Sequence, residues 1–139
     1  MSALRSPRDR LRVEDPADAP APALLAAVAA RAADDKLGRD TVVIEVGEVL
    51  AITDFFVITS GANDRQVRTI VEEVERVVAD EFGPATKPRR IEGLDALRWV
   101  LMDYGSFVVH VFDEETRHFY DLERLWRDMP RLEWRTLDA

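Results

Sequence analysis

The segment Asp54–Ser60, DFFVITS, places Phe55, Phe56, Val57 and Ile58 in succession. Successive side chains of a strand point to opposite faces, so this run is apolar on both. Such a strand suits the centre of a sheet that is covered on each side. The chain is therefore read as layered, with helices packed on a sheet.

A helix follows the strand directly. Asn63 is a side-chain cap with Gln66 three residues on, the capping-box arrangement. Val67, Ile70, Val71, Val74, Val77, Val78 and Phe82 then recur at spacings of three and four. Valine is a weak helix former, but burial of one face overrides propensity. Gly83-Pro84 ends the helix.

The remaining elements fall on either side. Pro22 suits a first helical turn, and Leu24, Leu25, Val28, Ala29 and Ala32 make an apolar stripe that stops at Gly38. Thr41–Val46 is β-branched and reads as a strand. Residues 85–97 are a connection with a short strand around Arg90–Glu92. Arg98–Asp103 and Ser106–Asp113 are two strands about Tyr104-Gly105, a hairpin signature. Phe119, Leu122, Leu125, Trp126 and Met129 sit at helical spacing, which predicts a closing helix from Glu114 to Met129, stopped by Pro130.

The order α-β-β-α-(β)-β-β-α predicts a mixed sheet of about five strands with helices packed on it, and both α/β and α+β arrangements satisfy it. Residues 1–20 carry three prolines, mixed charge and no period, and are expected to be a disordered arm. Residues 21–130 form a single domain, and 131–139 a short tail.

With 139 residues and a formal charge of −8, broad phosphate neutralisation is disfavoured, so little direct nucleic-acid contact is expected. An acidic surface suits a basic protein partner, although acidity also serves solubility alone. Cysteine is absent, which removes disulfide and thiolate chemistry. The first twenty residues hold no apolar h-region, and no apolar run approaches membrane-spanning length. A cytoplasmic protein with no membrane contact is expected.

Catalytic patterns are weak. A metal pair needs two neighbouring carboxylates, yet two residues beyond Asp103 stands Gly105, and nothing in the pattern joins Asp54 to Asp113. Ser60-Gly61 lacks the Gly-Lys-Ser/Thr of a phosphate loop. Ser60, His110 and Asp103 lack a nucleophile elbow. His110 and His118 have no ligand spacing. No enzyme activity, cofactor or metal is expected. Lys87, Arg89 and Arg90, with Arg98 nearby, form the one basic cluster, as charges protecting an edge strand do.

The segment Trp99–Phe112, WVLMDYGSFVVHVF, is the most informative. Alternation puts Trp99, Leu101 and Asp103 on one face of the first strand, and Val100 and Met102 on the other. In the second, Val108, His110 and Phe112 share a face opposite Phe107, Val109 and Val111. Two readings satisfy this pattern. In one, Asp103 starts the turn, Trp99 fills core and His110 bonds a backbone group. In the other, the mixture of Trp, Tyr and charge is a binding hot spot.

Asp54–Ile58 leading to Ser60-Gly61 and Asn63–Val67 resembles the first signature of the ribosomal silencing factor (Iojap-like) family. Gly93 with Trp99–Gly105 and Val108–Phe112 resembles its second. Arg117, Phe119-Tyr120, Leu122-Glu123 and Leu125-Trp126 resemble its closing helix. The similarity runs in order over roughly residues 24–129, with Ser106 standing where an acidic residue is common. It implies an α/β fold similar to nucleotidyltransferases without their catalytic carboxylates. It also implies binding to the 50S subunit through a basic universal ribosomal protein (number fourteen) at the intersubunit face. That binding would block 30S–50S joining and lower translation when nutrients are scarce; homodimers are implied too.

On this reading Trp99 and Tyr104 are apolar anchors, Asp103 pairs with a Lys or Arg of the partner, and His110 orients or accepts a hydrogen bond. Leu101, Gly105 and Tyr120 complete the expected contact surface. A rival placement buries Trp99 and gives the contacts to acidic residues of the final helix. Two other functions remain open: a metal-dependent nucleotidyltransferase or phosphohydrolase, and an RNA-binding module working through Arg89 and Arg90.

Overall fold

The computed structural model describes residues 20–137; apart from Pro20, the expected N-terminal arm lies outside the described residues. The elements are α1 (Pro22–Asp35), β1 (Arg39–Glu45), β2 (Phe55–Gly61), α2 (Asp64–Phe82), β3 (Arg90–Glu92), β4 (Trp99–Asp103), β5 (Phe107–Asp113), α3 (Glu114–Tyr120) and α4 (Leu122–Leu125). The strands form one five-stranded sheet in the order β1-β2-β5-β4-β3. β2 and β5 run parallel, and the other neighbours are antiparallel. This is the mixed α/β sheet that the element order predicts.

Strand register sorts the side chains onto two faces. Phe56, Ile58 and Ser60 of β2 lie beside Val108, His110 and Phe112 of β5, which in turn face Asp103, Leu101 and Trp99 of β4. The alternate residues Val57, Val109, Val111, Val100 and Met102 join the buried faces of α1 and α2 in one continuous core. α2 supplies Val67, Ile70, Val71, Val74 and Val78 to it, as its spacing predicts. The contribution of α1 is almost wholly alanine methyl groups.

The α2 cap is tied to α1. The Gln66 N–H donates to Asn63 Oδ1 (2.9 Å). Its side-chain oxygen accepts from Ala62 N–H (2.7 Å), and its amide donates to the carbonyls of Lys36 and Leu37 at 3.2 and 3.0 Å. One glutamine thus satisfies orphan groups at the start of α2 and the end of α1.

Three expectations need correction. The closing helix is broken: Asp121 adopts a left-handed conformation (φ 48°) between α3 and α4, and its N–H donates to the Arg117 carbonyl at 2.8 Å. The apolar period runs on past this residue, but its members part: Leu122, Trp126 and Met129 pack on the sheet, while Phe119 and Leu125 are exposed. The hairpin loop is longer than two residues, spanning Tyr104 to Ser106, and Tyr104 N–H donates to Phe107 O (3.0 Å).

Third, residues 131–137 are no tail. Glu45 N–H donates to Pro130 O and Leu132 N–H to Val43 O, both at 2.9 Å. Trp134 is only 4% exposed, and its indole N–H donates to Thr41 O at 3.1 Å. The segment seals the outer edge of β1, an edge otherwise open to pairing with another chain.

Gly93 closes the turn before β4 with φ +93°, and an added Cβ would fall 2.1 Å from the Trp99 carbonyl oxygen. The backbone conformation alone costs an L side chain roughly 1–3 kcal/mol, and the overlap adds to it. Gly93→Ala should lower the urea midpoint accordingly. An unchanged midpoint would show that this turn relaxes freely.

Candidate partner-docking face

The sheet face opposite α1 and α2 is covered unequally. Beside β1 and β2, Leu50, Leu122, Trp126 and Met129 pack over Ile44, Val46, Phe56 and Ile58. Toward β4 the cover thins, and Trp99 and Leu101 are left half-buried. The elbow made by α3 and α4 borders this opening. It buries no residue of its own, yet exposes Phe119 (77%), Tyr120 (55%) and Leu125 (77%).

An aromatic belt crosses the face. Tyr120 lies 5.0 Å from Trp99 between ring centroids, and Trp99 stacks on Phe112 at 4.8 Å. The Trp99 indole N–H donates to His110 Nδ1 at 3.1 Å. The His110 ring stands edge-on to Phe56 at 4.6 Å, and Phe56 edge-on to Trp126 at 5.6 Å. Trp99 therefore has one side in the core and one beside the opening. Its half-buried position lies between the two placements that the sequence left open.

Since Nδ1 accepts from Trp99, the proton of neutral His110 sits on Nε2, which has no partner among the described residues. The histidine is 4% exposed, and burial lowers its pKa from 6.5 to about 4. An unfolded chain binds this proton more readily than the folded one. The resulting stability is therefore complete above about pH 6.5 and declines as the pH falls toward 4, by up to about 1.4 kcal/mol per pH unit. His110→Phe should lose less stability than the parent between pH 7 and pH 4.5 in urea titrations. Equal losses would contradict this assignment.

Of the residues expected to make contact, Trp99, Leu101, His110 and Tyr120 converge here. Asp103 shares the face but lies at its margin. Its Oδ1 accepts from Gly105 N–H (2.9 Å), and Arg89 and Arg90 approach its carboxylate at 3.8 and 3.7 Å. It is thus a turn-former that already holds cations of its own chain. Tyr104 stands apart from the face. Its ring stacks flat on Phe107 at 4.5 Å, packed against the helix-covered core. Burial, with Glu75 adding, raises its pKa. Gly105 stays with it at the hairpin tip.

Carboxylates of the final helices are also engaged: Glu114 pairs with Arg39, and Glu123 with Arg117. Sequence reasoning placed Phe119, Leu125 and Trp126 on a helix but gave them no role in contact. Their flank position depends on the break at Asp121, which the apolar period conceals.

A cleft of about 690 Å³ opens between Ala62–Arg65 and Asp113–Glu115, where the parallel strands β2 and β5 end. Such positions hold ligands in many α/β folds. Here Asp113 caps α3 by accepting from Thr116 N–H (2.7 Å). Asp54 precedes β2 at the opposite end of the sheet from Asp113. Among the described residues, no group of three or more His, Cys, Asp or Glu side chains is arranged to hold a metal ion. Ser60 and His110 lie two positions apart along neighbouring strands, and the Ser60 hydroxyl accepts from Arg117 rather than meeting the imidazole.

The family described as ribosomal silencing factor during starvation matches residues 17–139 of the chain. The chain belongs to the ribosomal silencing factor family. A Bacillus subtilis silencing factor is 42% identical over 103 residues, spanning 74% of this chain and 85% of that one. A mouse protein named for mitochondrial assembly of the ribosomal large subunit is 38% identical over 88 residues, covering 63% of this chain and 39% of its own length. Among solved structures, a Bacillus halodurans protein superposes with a TM-score of 0.64 at 38% identity, covering 76% of this chain and 93% of that one. A Chromobacterium violaceum protein gives 0.68 at 27% identity, covering 74% and 83%. The silencing-factor family match takes in the segment after Pro130, consistent with the place of Trp134 in the core. No helix among the described residues is long and apolar enough to cross a membrane.

Proposed function

We propose that this silencing factor docks on the large ribosomal subunit through the half-open sheet face. Its partner there is a basic ribosomal protein on the surface that meets the small subunit, the universal protein number fourteen. Bound there, it makes subunit joining impossible by occupying the space and so represses translation under nutrient limitation, acting in the cytoplasm. It works by binding, with no turnover.

The observation that carries this reading is the surface around Trp99 and Leu101: half-buried apolar side chains flanked by exposed Phe119, Tyr120 and Leu125. Large aromatic side chains with one face already packed make good anchors, because little further freedom is lost on binding. A chain of charge −8 also favours encounter with a basic partner. The names of the relatives support a ribosomal partner, and that of the mouse relative supports the large subunit in particular. An interface of standard size, about 800 Å² per partner, is available to a domain of this length.

Asp103 contributes at the rim, where Arg89 and Arg90 already share it. The formal charge of −8 disfavours the RNA-binding alternative, in which both arginines would turn to phosphates.

Equilibrium binding of the labelled factor to purified 50S and 30S subunits tests the proposal. Saturable binding to 50S and none to 30S is expected. Binding to 30S alone, or to neither, would overturn it.

A further inference from the structure

We infer that Arg117 is the positioning residue of the docking face: it fixes the α3–α4 elbow so that Tyr120 meets Trp99. This inference rests on the proposed docking reading and names a part of the same site that makes no partner contact itself.

The elbow has unusually little to hold it. Neither α3 nor α4 buries a residue, and three of its large apolar side chains point into solvent. Its hinge, Asp121, sits in a left-handed conformation that costs a non-glycine residue energy. Leu122 and Trp126 give a half-buried footing on the sheet, but they lie beyond the hinge and do not fix α3. The Asp113 cap and the Glu114–Arg39 pair hold the start of α3, which leaves the angle between the two short helices to be set nearer the hinge.

Arg117 does so with a planar fork. Nη2 donates to Glu123 Oε2 (2.7 Å) and to Asp40 O (2.7 Å). Nη1 donates to Arg39 O (2.8 Å) and to Ser60 Oγ (3.1 Å). Nε donates again to Glu123 Oε2 at 3.1 Å. The guanidinium thus joins α3 to α4 across the hinge, and joins both to the start of β1 and the end of β2. Its side chain is 11% exposed, so water competes little for the bonds to Glu123 and Ser60, which are partly buried. Tyr120 is one helical turn along from Arg117 and is the residue that reaches Trp99. Fixing Arg117 therefore fixes the aromatic flank of the sheet patch. A lysine cannot substitute, because an ammonium lacks the rigid fork and cannot reach all four acceptors together.

The test compares Arg117→Lys with the parent for 50S binding, thermal unfolding and the proximity of the Tyr120 and Trp99 rings observed by NMR. The expected result is an affinity at least about tenfold weaker, with a cooperative unfolding transition retained and the Tyr120 ring no longer held against Trp99. A double-mutant cycle separates positioning from general weakening. In the Tyr120→Ala background, Arg117→Lys should cost less than about threefold, because the flank it orients is already gone.

If Arg117→Lys fails to fold, Glu123→Gln, which keeps the shape and weakens the clamp, is read by the same three measurements with the same expectations. Unchanged 50S affinity with a folded variant would overturn the inference, as would costs that multiply in the double variant. Failure of the parent itself to bind 50S would overturn the docking reading instead, so the two failures are distinguishable.

Discussion

Replacing Trp99 by alanine is expected to weaken binding to the 50S subunit at least about 30-fold, equivalent to about 2 kcal/mol, while the chain remains folded. The indole has one face against Phe112 at 4.8 Å, its N–H on His110, and its outer side beside Tyr120. Its removal takes away a pre-packed anchor and leaves His110 Nδ1 without its donor. Part of the effect will therefore appear as lost stability. The control is Trp99→Phe, which keeps an aromatic ring in the belt but loses the N–H donor and part of the indole's contact area. It should bind more tightly than the alanine variant while sharing the loss of the hydrogen bond. Titration of labelled protein with purified 50S measures both, with unfolding curves alongside. Full-affinity binding by a folded Trp99→Ala would move the docking surface elsewhere.

The second large effect is on stability. Trp134→Ala should cost about 3–5 kcal/mol, the usual range for emptying a buried Trp site, out of a total that is typically about 5–15 kcal/mol. The indole belongs to the main core and also donates to the Thr41 carbonyl at the edge of the sheet. The same segment is tied down elsewhere: the Leu137 carbonyl accepts from Arg31, and Arg135 approaches Asp34 at 3.8 Å. Urea unfolding of the variant decides the matter. A shift within about 0.5 kcal/mol, as for an ordinary surface change, would mean that residues 131–137 are a tail after all.

These two tryptophans show where sequence reasoning reaches and where it stops. Local chemistry was legible. Asn63 with Gln66 marked the start of α2, the valine period marked its buried face, and the short charged strand at Arg90–Glu92 stood where it was read. The doubly apolar run at Phe55–Ile58 became β2, covered on both sides. Long-range pairing was less legible. Nothing local says that β5 lies parallel to β2, although that pairing puts His110 beside Ile58 and completes the face.

Alternation assigned Trp99, Leu101 and Asp103 to one face correctly, because side-chain direction in a strand is a local property. It could not place Tyr104, because a loop residue follows no period; its ring turned to Phe107 instead. Asp121 and Trp134 were missed for related reasons. A left-handed residue inside a continuing apolar period leaves no compositional mark. A lone tryptophan among polar neighbours after a proline looks like a terminus until the edge of β1 is seen to need cover.

Everything proposed for this chain turns on occlusion of the subunit interface by a factor bound to the large subunit. Sucrose-gradient sedimentation of purified 30S and 50S subunits, mixed with increasing amounts of the protein, reads that occlusion without intermediaries. The protein should co-sediment with 50S, and the 70S peak should fall as its concentration rises. A 70S peak that stays constant while 50S is saturated with the protein would contradict occlusion.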